Sequence, residues 1–158
     1  MNDDERCMRR AIELADVAAD DGEVPVGAVL ICGAVTVEAH NEKEKTGDAT
    51  AHAEMLALRE AARRLGRWRL SDATMYVTKE PCLMCAGAIV AARVGRLVYG
   101  ANDPKGGADG GAFDVLRSPK TNHRIAIDAG VLQAETAEQL RSFFEGRRAA
   151  EGIERAAP

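Results

Sequence analysis

The stretch Met75-Tyr76-Val77-Thr78-Lys79-Glu80-Pro81-Cys82-Leu83-Met84-Cys85 reads as a buried strand that runs directly into a helix. Met75, Tyr76 and Val77 are the kind of residue that fills a pleated, half-buried surface. Pro81 suits the first turn of a helix, where its missing N–H would have had no partner anyway. The helix it opens carries Cys82 and Cys85, three positions apart, on one helical face or at its mouth. Upstream, residues 51–65 are rich in Ala, Leu, Glu and Arg and predict a second helix. Its start falls near His52, with Asp48 or Thr50 available as the capping residue. Helices that alternate with strands imply an α/β layered domain.

The rest of the chain continues the alternation. Met8, Ala11, Ile12, Ala15, Val17 and Ala18 recur at helical spacing, and Asp20-Asp21-Gly22 ends that segment. Val24 to Ile31 predicts a strand, Gly33 a tight turn, and Ala34 to Ala39 the hairpin partner. Asn41 to Asp48 reads as a polar loop. After Gly95, Arg96 to Gly100 predicts a short strand, Asn102 to Gly111 a glycine-rich loop, and His123 to Ile127 a last strand. Val131 to Arg148 predicts a long terminal helix. One domain over residues 1–150 is expected, with residues 151–158 as a frayed tail.

A chain of 158 residues is long enough for one domain with its own core. No apolar run approaches the roughly 20 residues that a membrane helix needs. The start, Met1-Asn2-Asp3-Asp4-Glu5, is acidic, the opposite of a secretory signal. A cytoplasmic, membrane-free protein is therefore expected. Its four cysteines, Cys7, Cys32, Cys82 and Cys85, need no disulfide. The net charge of −4 is unevenly spread. Residues 1–58 carry 5 Lys and Arg against 13 Asp and Glu, whereas residues 59–79 carry 6 against 2 and residues 93–124 carry 6 against 3. Such local basic surface can meet phosphates on an acidic protein, although charge alone favours a solvated helix face with scattered arginines. Arg64, Arg67, Arg69, Lys105, Lys120 and Arg147 are the candidates for that role.

His52, Cys82 and Cys85 form a ligand set suited to zinc. Three protein ligands leave the fourth tetrahedral position open, as in catalytic rather than structural centres. Both halves of the set lie at helix starts, where the positive end of the helix dipole favours thiolate. Glu54 supplies a carboxylate that can accept and return a proton. His52 and Glu54 are two residues apart and, at ~100° per residue, face different sides of an ideal helix. They converge only if they lean over the helix end. A lone Cys-x-x-Cys pair also serves redox or structural zinc sites, but neither explains His-x-Glu upstream, and Cys7, Cys32, His40 and His123 stand apart from it.

His52-Ala53-Glu54 with Pro81-Cys82-Leu83-Met84-Cys85 resembles the signature of zinc-dependent nucleobase deaminases. Longer matches resemble the bacterial tRNA-specific adenosine deaminases: Glu23 to Val29, Thr50 to Glu54, Glu80 to Ala88, Tyr99-Gly100-Ala101, Asp103, Lys105, Asp114-Val115-Leu116, Asn122-His123-Arg124 and Phe143-Phe144. The resemblance implies a cytidine-deaminase-like, three-layer α/β/α sandwich around a five-stranded mixed sheet. It implies one Zn2+ per subunit, held by His52, Cys82 and Cys85, with Glu54 as the catalytic acid and base. It implies a homodimer with the active site near the subunit interface. The implied substrate is a tRNA anticodon stem-loop, that of an arginine tRNA, whose first anticodon (wobble) adenosine is hydrolysed to inosine after flipping out of the loop.

Carried over position by position, the resemblance gives Asn41 a contact with the nucleoside, Ala53 backbone contacts with the base, and Val26 a place in the pocket wall. Asp103 and Lys105 would touch neighbouring nucleotides, and Phe144 would stack on a flanking base while Phe143 joins the core. Lys79, Ala49, Glu42 and Glu145 depart from the family pattern, with Lys79 and Glu42 standing beside motif residues. Two other readings share the ligand set: a small-molecule deaminase acting on guanine or cytosine, and a zinc module that only binds RNA or protein.

Overall fold

A computed structural model describes residues 1–156. The element order is α1 Asp3–Asp20, β1 Gly27–Cys32, β2 Val35–His40, α2 Lys43–Thr46, α3 Ala53–Leu65, β3 Ala73–Lys79, α4 Leu83–Ala91, β4 Arg96–Ala101, β5 Ala126–Ala129 and α5 Gln133–Ala156. The five strands form one mixed sheet in the order β2-β1-β3-β4-β5. β1 pairs antiparallel with both β2 and β3. β3 and β4 are parallel, as are β4 and β5. The helical connection through α4 is what allows β4 to return parallel to β3.

Alternation along the strands sets the layers. Ala28, Leu30, Met75, Val77, Leu97 and Tyr99 point to one face, where Ala53, Ala57, Leu58 and Ala61 of α3 and Ala86 and Ile89 of α4 cover them. Val29, Tyr76 and Val98 point to the other, beneath Met8, Ala11 and Leu14 of α1. On that second face α5 lies beside α1, and Gln139 donates to the carbonyl of Ile12 at 3.0 Å and to Asp16 at 2.7 Å. The result is the expected three-layer sandwich. Arg96 joins the N-terminus to the far strands, reaching Asp4 at 2.7 Å and Asp128 at 2.7 Å.

Several element edges differ from the sequence reading. β1 begins at Gly27, because Pro25 has no N–H to offer and Val26 turns back to the carbonyl of Val24 at 2.9 Å. The supposed loop 41–48 contains the short helix α2. α4 begins at Leu83 with Cys82 as its cap, so Pro81 lies before the helix and not in its first turn. The last strand is Ala126–Ala129 rather than 123–127. α5 continues to Ala156, so residues 151–156 are helical, and the rest of the expected tail lies outside the described residues. No helix among the described residues is long and apolar enough to cross a membrane.

Candidate active site

Two helix starts converge on one locus above the end of β3. His52 is the residue that caps α3, with extended backbone (φ −79°, ψ 149°), and Glu54 is the second residue of the helix. The chain therefore changes direction between them, and two side chains that would diverge on an ideal helix come together. Cys82 caps α4 in the same way (φ −72°, ψ 175°), and Cys85 sits in its first turn. The sulfurs of Cys82 and Cys85 each lie 3.6 Å from Nδ1 of His52. Ligand atoms of the three residues all fall within 4.8 Å of one another, an arrangement that could hold a metal ion.

The caps come from elsewhere than expected. Asp48 accepts from the N–H and hydroxyl of Thr50, both at 2.8 Å, and so closes a turn without reaching α3. The N–H of Ala53 instead donates to Oδ1 of Asn41 at 2.8 Å, while the Asn41 amide donates to the carbonyl of Val24 at 3.1 Å. Asn41 thus ties β2, the approach to β1 and the start of α3 into one piece. Each of its polar atoms retains capacity for one further bond. The Ala53 N–H is already committed and is not free to meet a base.

The electrostatics of the cluster follow from its mutual hydrogen bonds and, at Glu54, from burial. Cys82 is pulled down to about 3, first by the thiol of Cys85 donating to it and then by His52. Cys85 is pushed above the usual thiol range by that same bond and by burial. His52 is raised by its bond with Cys82. Glu54 is 4% exposed, and burial raises its pKa. Its Oε1 has no hydrogen-bond partner among the described residues. An unpaired buried carboxylate oxygen costs free energy unless something polar meets it. The oxygen is thus suited to a water or substrate atom beside the three ligands.

A pocket of about 150 Å³ opens over the cluster, lined by Glu23, Val24, Val26, Asn41, Lys43, His52, Glu54, Lys79, Glu80 and Cys82. It is smaller than the ~300–1,000 Å³ of drug-sized sites, and its scale suits one planar base. Val26 and Asn41 are in the lining, as the sequence reading placed them. Glu23 and Glu80 carried no role in that reading, yet each is 2% exposed and holds a loop. Glu23 accepts from the N–H groups of Glu44 at 2.9 Å and Lys45 at 2.8 Å. Glu80 accepts from Asp103 at 2.9 Å, Asp109 at 2.9 Å and Gly111 at 3.1 Å. The available signal was an acidic residue adjoining an apolar strand run.

Other expected contacts are placed differently. Asp103 spends one oxygen on the N–H groups of Lys105 and Gly106 and the other on Lys79, at 3.0 Å. Lys105 is exposed on the same loop. Phe143 is only partly buried and packs edge-on against the exposed Phe144, so neither joins the core, and neither lines the pocket. Among the candidate phosphate contacts, Arg64 is taken by Glu60 and Arg67 by Asp72, while Arg69 and Arg147 lie over Trp68 and Phe143.

This fold and this site define a deaminase. Residues 2–148 match the MafB19-like deaminase family. A tRNA-specific adenosine deaminase of Bacillus subtilis (strain 168) is 47% identical over 149 residues, covering 94% of this chain and 92% of its own length. One from Haemophilus influenzae is 47% identical over 155 residues, covering 97% and 90%. A structure solved in studies of A-to-I editing by tRNA:A34 deaminases at the wobble position of transfer RNA aligns with a TM-score of 0.78 at 41% identity, covering 85% of this chain and 98% of that one. The chain belongs to the MafB19-like deaminase family, with tRNA-specific adenosine deaminases as its near relatives.

Asn41→Ala removes the side chain that caps α3 and leaves the Ala53 N–H unpaired. It is expected to lower stability by about 1–2 kcal/mol in denaturant unfolding and to weaken metal retention through a displaced His52. Unchanged values for both would remove Asn41 as the organiser of the helix start.

Proposed function

We propose that the protein is a zinc-dependent hydrolase that converts adenosine to inosine at the first anticodon position of a tRNA, releasing ammonia. The chemistry rests on the buried carboxylate of Glu54, unpaired beside three metal-ligand atoms. The substrate class rests on the relatives named above. The metal is supported by geometry: tetrahedral zinc with Zn–S near 2.3 Å and Zn–N near 2.05 Å separates a sulfur from a nitrogen by about 3.6 Å. That matches the separation of each cysteine sulfur from His52 Nδ1.

Zinc held by His52, Cys82 and Cys85 supplies Lewis acidity that makes water nucleophilic near neutral pH. Glu54 takes the proton of the attacking water. It then returns protons to the ring nitrogen and to the departing amine, leaving a carbonyl on the base and free ammonia. Burial helps Glu54 by raising its proton affinity toward the working pH. Val26 bounds the base, Asn41 has spare bonding capacity for the nucleoside, and Ala53 contributes packing. Lys105 and Phe144 lie outside the pocket on surfaces that only an extended RNA could touch.

Incubating the protein with an arginine tRNA transcript bearing adenosine at the first anticodon position should yield inosine there, with free guanine, cytosine and adenosine untouched. Glu54→Ala should lose turnover by about three orders of magnitude or more while keeping its metal. Ammonia from a free base alone would move the enzyme to the small-molecule class. Full activity of the Glu54 variant would leave only a binding module.

Zinc should be present at about one per chain and should be lost in Cys82→Ala and Cys85→Ala. Both thiols must be unprotonated to bind it. The two thiols share one hydrogen bond, so the pair still holds a proton that it must release on binding the metal. Zinc affinity should therefore rise with pH across the neutral range, as read by competition with a chelator at pH 6 and pH 8. A pH-independent affinity would exclude the cysteine pair as the ligands.

We also propose a homodimer. An apolar groove between α3 and α4 is lined by Met55, Leu58, Ala88 and Trp68, and Trp68 is 60% exposed. The same helices carry the metal ligands at their starts, so a second copy seated there would adjoin the pocket. Sedimentation at micromolar concentration should give a dimer that Trp68→Glu converts to monomer; a monomeric wild-type protein would contradict this.

A further inference from the structure

We infer that Lys79 binds a backbone phosphate of the RNA at the mouth of the pocket. Lys79 is the last residue of β3, three positions before Cys82, and lines the pocket together with His52 and Glu54. The pocket's other charged lining residues are three acids, Glu23, Glu54 and Glu80, and one further cation, Lys43. Glu23 and Glu80 have their charges satisfied by backbone N–H groups, and Glu54 faces the metal ligands. The lining holds two cations, Lys43 and Lys79. Lys43 is exposed and forms no ion pair among the described residues, whereas Lys79 is fixed by Asp103 at 3.0 Å with its side chain 30% exposed.

That ion pair is the exchangeable part. An ammonium has three donors, and Asp103 is the one protein partner of Lys79 among the described residues. Partial burial disfavours the Asp103 carboxylate, yet Lys79 and the N–H groups of Lys105 and Gly106 hold it below its ordinary pKa. Asp103 therefore stays stabilised by backbone N–H groups if Lys79 turns to another anion. The pair is partly exposed, and a phosphate in place of the carboxylate keeps the ammonium paired, so the exchange carries a small penalty. A polyanion entering a rim of carboxylates needs such a cation, and the sugar–phosphate chain must pass the mouth when the base lies inside.

The inference rests on the RNA substrate proposed above, and the test separates the two. Lys79→Met should raise KM for an anticodon stem-loop about tenfold, keep kcat within about twofold and retain zinc. The slope of log(kcat/KM) against log salt should become shallower by about one. Lys79→Arg should restore most of the loss. A neutral methylphosphonate at one linkage flanking the target adenosine should cost the wild-type enzyme a similar factor and cost Lys79→Met nothing further. A raised KM with an unchanged salt slope would make Lys79 only a strut for the Asp103 loop and overturn the inference. So would a loss confined to kcat, or wild-type indifference to both flanking methylphosphonates. If the wild type leaves the stem-loop adenosine unconverted, the functional reading fails and the inference fails with it.

Discussion

Glu80 carries a carboxylate into the interior and meets three backbone N–H groups there, and the shape of the pocket depends on that meeting. A buried carboxylate is tolerated only when donors surround it. The donors come from the loop at 102–111, so satisfying the charge and folding the loop are one event. The loop must approach very closely. A Cβ at Gly107 would collide with the Glu80 carboxyl, and one at Gly111 with the carbonyl of Asp103. Glu23 repeats the device on the opposite side, where the N–H groups of Glu44 and Lys45 meet its two oxygens. Glu54 is buried to a similar degree but keeps an oxygen without a partner. Two carboxylates brace the walls because they are satisfied, and the third is poised for chemistry because it is not.

The parallel pairing of β3 with β4 places this apparatus. Both strands end on the same side of the sheet, with β3 delivering Lys79 and Glu80 to the rim and the next residues turning into α4. α3 starts beside it because Asn41, at the end of β2, accepts the N–H of Ala53. Of the three candidate metal ligands, His52 and Cys82 are extended residues just before their helices, and Cys85 sits in the first turn of α4. A short change in helix start would move them by ångströms.

What the sequence disclosed and what it concealed divide by distance along the chain. His52, Glu54, Cys82 and Cys85 were legible because their spacing and their helix starts are local features. The alternation of apolar residues gave the strands and the layers, with edges displaced by a few residues where Pro25 and Pro81 interrupted backbone pairing. The true partners of Glu23, Glu80 and Asn41 were hidden, since they are N–H and C=O groups 12 to 31 residues away and carry no side-chain signature. Asp48 and Thr50 had the right chemistry for a cap but satisfy each other. Phe143 had helical spacing for a core position, but it is only partly buried and meets Phe144 and Arg147 of its own helix.

Glu23 and Glu80 grip their loops through peptide N–H groups, which every residue but proline possesses. The exposed side chains of those loops are therefore free to differ without loosening the frame, provided the close-approach glycines, Ala108 and Asp109 stay. Chemistry and recognition are mechanically separable in such a scaffold. The ligands and Glu54 are locked into helix starts, while the residues that would face different substrates hang from a backbone clamp indifferent to their identity. A rim of this construction can be rewritten one side chain at a time, with each intermediate still folded and still able to turn over.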